Sequence, residues 1–339
     1  MSQDLLTQRG ISHGLDAYVV GLAWNRSGTR AGFGLGDGYV VVGASAGEWP
    51  RFETHDGGLL AIAPDLADGF LSGGDDGALC RTGLDGTISS VDRFGSKWVE
   101  QVASFGDAGG GLLACSVGRN LTLFGQNGEK LKELPHPSTV TGIVFDAKGK
   151  RVGASHYGGA SLWFVAAKTD KPRLLEWKGS HTGITIHPAG EALVTAMQEN
   201  SLHGWRLADG QHMRMSGYPG KTGSLSWSRH GKWLASAGAD AIVLWPFTGG
   251  GPMGKAPLEL AQIPDIICTQ VAFHPQHDIV AGGYADGTVV MADIAGERVL
   301  QVKAPGDGEV SALSWNGQGT LLAFGTETGL AGIVDLTAR

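Results

Sequence analysis

The sequence predicts an all-β protein made of eight similar four-stranded units, and three observations predict it. Glycine is in large excess, 56 of 339 residues, where the usual share is about 7%. Charged residues are sparse at 17%, while hydrophobic residues reach 42%. A turn residue recurs at Gly28, Gly69, Gly110, Gly149, Gly190, Gly231, Asp278 and Gly319, with gaps of 41, 41, 39, 41, 41, 47 and 41. A period of about 40–45 residues with several short strands per unit is the mark of a β-propeller blade.

The same numbers exclude other classes. Collagen needs glycine at every third position, and a disordered chain would not carry ten tryptophans. Apolar heptads are lacking, so a coiled coil is excluded. The net charge is −7 and no basic run occurs, which makes nucleic acid a poor partner. Cys80, Cys115 and Cys268 are odd in number and far apart, so they read as reduced core residues of a cytoplasmic protein. The first ten residues, MSQDLLTQRG, are polar; no secretory signal, lipid anchor or membrane association is expected.

Each unit is justified by its own residues. Three clear copies are AWNRSGTRAGFGLGDGYVVV (23–42), SWSRHGKWLASAGADAIVLW (226–245) and SWNGQGTLLAFGTETGLAGIV (314–334). Further copies lie at 62–80, 144–163 and 186–205, with degenerate ones at 103–124 and 272–291. Small residues in the strands suit a crowded inner position. Asp-Gly pairs at 37–38, 76–77 and 286–287 supply the positive φ that two-residue hairpin turns require; Asn200 and Asp240 hold the same place. Inner strands are expected near 18–24, 58–63, 98–105, 139–145, 181–187, 221–227, 269–274 and 309–315. Seven outer strands follow, the last at 297–304, and the eighth unit stops at 333–339 without one. Residues 5–13 are therefore expected to supply the missing outer strand, which closes the ring and leaves no open edge. One domain over 1–339 results, with a loop insertion at 246–257. Seven blades is the alternative, if the unit near 103–124 or that near 62–80 is something else.

These repeats resemble the WD-repeat propellers over nearly the whole chain. His13, His55, His136 and His181 stand where that family has its histidine. Asp37, Asp76, Asp240 and Asp286 stand at its turn aspartate, Trp163, Trp205 and Trp245 at its tryptophan, and Asp293 and Asp335 at its final aspartate. No repeat carries the full set. A narrower resemblance, in HYGGASLWF (156–164), LEWKGSH (175–181), residues 195–221 and GKWLASAGADAIVLWPF (231–247), is to alphaproteobacterial WD-repeat proteins. Their genes often lie beside a zinc GTPase metallochaperone of the CobW type. That resemblance implies a bacterial protein of zinc homeostasis with such a GTPase as partner.

Chemistry is hard to find. The closest histidine groupings are His274 with His277 and His203 with His212, and a zinc site needs three or four converging ligands. His274 and His187 fall where other repeats have a turn residue, and both read as turn histidines. His212, Met213 and Met215 could hold a soft metal but fit an outer strand with methionines packed inward. No nucleophile elbow, phosphate loop or zinc-protease motif occurs. Glu100 and Glu309 are the only carboxylates near inner-strand starts, too few for the metal cage of a propeller hydrolase or lactonase. No cofactor, metal or catalytic residue is assigned, and the chain is not read as an enzyme.

The resemblance to WD-repeat propellers implies a partner-binding rim where inner strands start and where second-to-third strand turns lie. Carried over by position, the rim is Tyr18, Trp98, Arg119, Tyr157, Gln198, Glu199, Lys221, Tyr284 and Glu327. Aromatic and arginine residues on a polar rim are the usual anchors of protein interfaces. The function expected is a non-catalytic scaffold for a protein or peptide partner.

Overall fold

The computed structural model describes residues 4–295 and 298–337. Glu297, the first residue of the expected outer strand 297–304, lies outside them, as do Ala338 and Arg339 at the end of 333–339. The chain forms two compact units, Ala17–His181 and Met1–Asp16 with Thr182–Arg339.

The first unit opens with three four-stranded antiparallel sheets. Their strands are Val19–Trp24, Ala31–Leu35, Tyr39–Gly43 and Arg51–Glu53; then Leu59–Pro64, Gly69–Gly74, Ala78–Gly83 and Ile88–Arg93; then Gln101–Asp107, Gly110–Val117, Asn120–Gly125 and Lys130–Pro135. Within each sheet every strand pairs with the next in sequence. Burial is deepest in the second and third strands, which are almost wholly buried. Apolar clusters join the sheets. Val40, Val42 and Leu59 pack with Phe70, and Leu71, Leu79 and Val99 pack with Leu113 and Phe124. Burial of such side chains is the main stabilising term.

In the second unit the four-stranded sheets comprise Leu225–Trp227, Trp233–Ser236, Ile242–Pro246 and Leu258–Leu260; Cys268–Phe273, Ile279–Tyr284, Val289–Asp293 and Val299–Lys303; and a last sheet of Val310–Trp315, Leu321–Thr326, Leu330–Asp335 and Gly10–Gly14. Residues 247–257 lie between two strands. No helix among the described residues is long and apolar enough to cross a membrane.

The expected count of eight blades is corrected: the ladders form seven sheets. Six have four strands, and one has six, in the order Gly142–Phe145, Arg151–Phe164, Arg173–Ile186, Ala192–Met197, Ser201–Arg206 and His212–Met215. The repeats at 144–163 and 186–205 share this sheet. Their connecting strands, Arg151–Phe164 and Arg173–Ile186, are 14 residues each and run on unbroken. The physical reason lies in Arg173–Ile186. Its first part pairs with Arg151–Phe164, from Arg173 opposite Leu162 to Ser180 opposite Tyr157, and it runs on to Ile186 beside Ala192–Met197. The outer strand expected at 171–178 and the inner strand expected at 181–187 are thus one strand, which joins the two repeats in one sheet. The units near 62–80 and 103–124, whose irregularity would have explained seven, both form regular sheets.

The N-terminal segment also differs from expectation. Gly10–Gly14 pairs antiparallel with Leu330–Asp335, from Gly10 against Val334 to Gly14 against Leu330. Leu5–Arg9, however, is a short helix rather than part of a strand. Asp4 is its N-cap and accepts from the Thr7 N–H at 2.9 Å, the usual role of a carboxylate at that place. Leu5 and Leu6 pack against the cluster that includes Phe324 and Val334.

Gly77 shows why glycine is required at a hairpin turn. Its φ is +75°, and a Cβ there would collide with the Gly95 carbonyl oxygen. Gly95 also has positive φ, +67°, but opens onto free space. Gly77→Ala is expected to destabilise the protein by well over about 1 kcal/mol, and Gly95→Ala by no more than about 1 kcal/mol. Urea midpoints of the two variants check this; equal losses would contradict the steric account.

Candidate partner-binding surface

The turn end of each sheet is built from backbone first. In the sheet holding Gly69–Gly74, the Gly58 N–H donates to Asp75 Oδ1 at 2.8 Å and the Asp75 N–H returns to the Gly58 carbonyl at 3.0 Å. The inner-strand start and the second-to-third strand turn are thereby tied together. The same tie recurs where the Gly36 N–H donates to the Tyr18 carbonyl, and where the Glu327 N–H donates to the Glu309 carbonyl, both at 2.9 Å. Residues at these two places in one sheet therefore share an end.

In the first unit, Tyr18, Trp98 and Tyr157 present their rings to solvent, at 48%, 57% and 66% exposure. Arg119 is exposed in the turn after Gly110–Val117. Its carbonyl accepts from the His136 N–H at 2.9 Å. The Tyr157 N–H donates to Ser138 Oγ at 2.9 Å. Glu100, two residues beyond Trp98, has its carboxyl raised above the usual range by burial, opposed by the Gly118 N–H.

In the second unit, Gln198, Glu199, Lys221 and Glu327 are exposed. Burial and the like charge of Glu327 raise the Glu309 carboxyl, and Lys221 opposes them. Lys221, Glu309 and Glu327 thus interact at one end of the unit. Tyr284 does not belong with them, and its placement on the rim is corrected. It ends the strand Ile279–Tyr284, is fully buried, and donates its hydroxyl to the Ala261 carbonyl at 2.6 Å. As a strand residue opposite Cys268, its ring points into the core.

Buried polar networks hold these ends, and sequence alone exposed them only in part. His55 hydrogen-bonds Asp76 Oδ1 at 3.0 Å through Nδ1 and Ser72 Oγ at 2.8 Å through Nε2. The connectivity is that of a hydrolytic triad, but Ser72 is fully buried and His55 is 3% exposed. No substrate reaches a serine so placed, and the set is structural. Burial lowers the His55 pKa, against the pull of Asp76. Elsewhere the same job falls to other residues. Tyr218 accepts from Trp245 Nε1 at 2.5 Å and hydrogen-bonds Ser236 Oγ at 2.5 Å, and burial pushes its hydroxyl up to about 12. Lys303, 3% exposed, donates to the carbonyls of Gly287, Ala304 and Gly306 at 3.2, 3.0 and 2.8 Å. Neither residue resembles histidine, so no motif would have found them.

The metal-ligand candidates resolve as packing. His274 donates through Nε2 to the Gly319 carbonyl at 2.9 Å, and its Nδ1 accepts from the Gln276 and His277 N–H groups, both at 3.0 Å. His203 Nε2 and His212 Nδ1 share a hydrogen bond of 2.9 Å. Met213 and Met215 are buried in an apolar cluster with Leu202 and Trp245. Among the described residues, no three His, Cys, Asp or Glu side chains come together as a metal site. The three cysteines are buried, and burial raises the thiols of Cys80 and Cys115 to about 11 and about 12. Such thiols are poor nucleophiles.

Comparison with known proteins agrees with this architecture. Residues 271–338 match the family described as the anaphase-promoting complex subunit 4 WD40 domain, and residues 213–245 match the WD domain, G-beta repeat. The chain is similar to telomerase protein component 1 of Mus musculus, 23% identical over 342 residues. That alignment covers 96% of this chain but 12% of the relative, so the chain spans only a small part of that protein's length. Among solved structures, the computationally designed Ika8 protein superposes with a TM-score of 0.77 at 18% identity, over 95% of this chain and 98% of the other. At that identity the likeness speaks for the fold alone. The repeat matches and the succession of antiparallel four-stranded sheets support the WD-repeat β-propeller family for this chain.

Removing the Tyr218 hydroxyl tests the buried network. Tyr218→Phe leaves Trp245 Nε1–H and Ser236 Oγ without their partner and is expected to cost about 1–3 kcal/mol. Tyr218→His should cost less, since an imidazole takes the same indole donor at His136. Chemical denaturation measures both; a neutral Tyr218→Phe would refute the role.

Proposed function

We propose that this protein is a non-catalytic interaction scaffold that binds a protein or peptide partner at the turn end of its sheets. The observation that carries the reading is the exposure of Tyr18, Trp98 and Tyr157, all within the first unit. Large rings held in solvent by rigid strand ends lose little entropy on binding and bury much area. Arg119 adds an exposed charged group in the first unit, and Gln198, Glu199, Lys221 and Glu327 offer polar contacts on the second unit. Tyr284, being buried, is left out. The names of the matched family and of the curated relative, a subunit of the anaphase-promoting complex and a protein component of telomerase, are those of parts of larger assemblies, which supports a role in assembly.

The finer possibility, a zinc-linked GTPase metallochaperone as partner, has the resemblance alone behind it. Neither it nor a hydrolase reading gains a supporting residue from this surface.

Trp98→Ala and Tyr157→Ala together are expected to reduce recovery of the native partner at least about tenfold in affinity capture, since aromatic anchors each contribute about 2 kcal/mol or more. Because both side chains are exposed, the melting temperature should hold. Undiminished capture by the double variant would sink the assignment to this surface.

A further inference from the structure

Two buried histidines lie directly behind the proposed surface. His136 and His156 are each 4% exposed, with ring centroids 5.8 Å apart. Each is bonded through the backbone to a residue of that surface. The His136 N–H donates to the Arg119 carbonyl at 2.9 Å, and His156 Nδ1 donates to the Tyr157 carbonyl at 2.9 Å.

The bonding pattern suits two neutral rings. Trp163 Nε1 donates to His136 Nε2 at 3.0 Å, so that nitrogen is an acceptor and the ring proton sits on Nδ1. His136 Nδ1 is buried without a hydrogen-bond partner among the described residues. In His156, Nδ1 is the donor, which leaves Nε2 to accept from Ser161 Oγ at 2.9 Å. A proton added to His136 Nε2 would face the Trp163 N–H, setting donor against donor. Its charge would also face the second imidazole in a site of low dielectric. The donor clash bears on Trp163; the charge bears on His156, whose Nδ1 bonds the Tyr157 carbonyl.

The Arg119 and Leu134 backbone groups favour a charged His136, against the stronger opposition of burial and His156. On Arg173–Ile186, Glu176 lies opposite Gly159 and is exposed. His156 is the titratable side chain facing His136 from Arg151–Phe164. From the neighbouring turn comes the Arg119 carbonyl, while the Arg119 side chain is exposed. On the preceding outer strand Glu133 is exposed and accepts from Asn120 at 2.9 Å. Two glycines form the bend beside Tyr157, Gly158 and Gly159, with φ of +89° and +141°.

We propose that His136, acting through His156, is a pH-sensitive latch: with His136 neutral the Tyr157 turn is held in place; with His136 protonated that turn is released and the partner surface weakened. The proposal rests on the scaffold reading above. Burial, with His156 second, lowers the His136 pKa to about 4 from its ordinary 6.5. The sign follows from linkage. A base whose folded pKa lies below its unfolded value keeps its closed arrangement fully stable above pH 6.5. That stability is lost as the pH falls from 6.5 toward about 4.

Nuclear magnetic resonance of the labelled full chain tests this without any partner. Between about pH 7.5 and about pH 4, the His136 ring and the Tyr157 amide should titrate with one midpoint. His136→Gln, whose amide oxygen still accepts from Trp163, should abolish the Tyr157 step. Trp163→Phe removes the donor and should raise both midpoints together. A Tyr157 amide that does not titrate, or that keeps its step in His136→Gln, overturns the latch. So does loss of the far-ultraviolet circular dichroism over the same step, which would mean that the unit unfolds as a whole. Partner capture by Tyr157→Ala reports separately on the scaffold reading, so the two can fail independently.

Discussion

A small set of buried acceptors governs the fold: the polar side chain that ends the first strand of a sheet. The turn that follows leaves backbone N–H groups turned inward, and an inward N–H without a partner is costly. Asn25, Asp146 and Asn316 each accept from the two N–H groups four and five residues on, at 2.8–3.2 Å. Ser228 accepts from Trp233, and His187 from Ala189. The turn closes when the N–H three residues after the acceptor donates back to its carbonyl, as at Gly28, Gly149, Gly190, Gly231 and Gly319. Those glycines share φ of 63–72°. Once this turn is set, the first two strands are in register, and their side chains alternate toward the neighbouring sheets.

The other end of each sheet is held differently. There a buried polar side chain at the close of an outer strand makes the link: His55, His136 and Tyr218 bond residues of the next sheet, and Lys303 bonds Gly287 of its own. Histidine, tyrosine and lysine all serve, because the requirement is for a long side chain with a polar tip rather than for one chemistry. What varies is the consequence. An imidazole can change charge near neutral pH; the Tyr218 hydroxyl, pushed up to about 12, cannot. Sheets secured by histidine thus differ in their response to acid from the sheet secured by tyrosine, although their backbones follow the same course.

Much of this was legible in the sequence, and the gaps have physical causes. The period was visible because the turn glycines have no substitute at positive φ. It misled slightly at Gly69 and Gly110, which open strands rather than close turns. The sheet count was not visible, since nothing in residues 171–187 marks whether an outer strand ends before the next inner strand begins, and Arg173–Ile186 runs through as one. The helix at Leu5–Arg9 turned on the Asp4 cap and on where Leu5 and Leu6 could be buried. On the surface, position within the repeat found the exposed rings of Tyr18, Trp98 and Tyr157. It failed at Tyr284, which ends its strand opposite Cys268 as Thr326 ends its own opposite Val310, one place before the position that Glu327 holds on the rim.

The pairing of Gly10–Gly14 with Leu330–Asp335 also has a meaning for biosynthesis. These strands lie far apart in sequence, so the last sheet cannot be completed until synthesis has passed residue 335. At roughly 5–20 residues per second, the early strand waits some 15–60 s with its hydrogen-bonding edge unmet. Unpaired edges of that kind recruit other strands. Glycine at both ends of GISHG and the capped helix beside it leave little apolar edge for a wrong partner during the wait.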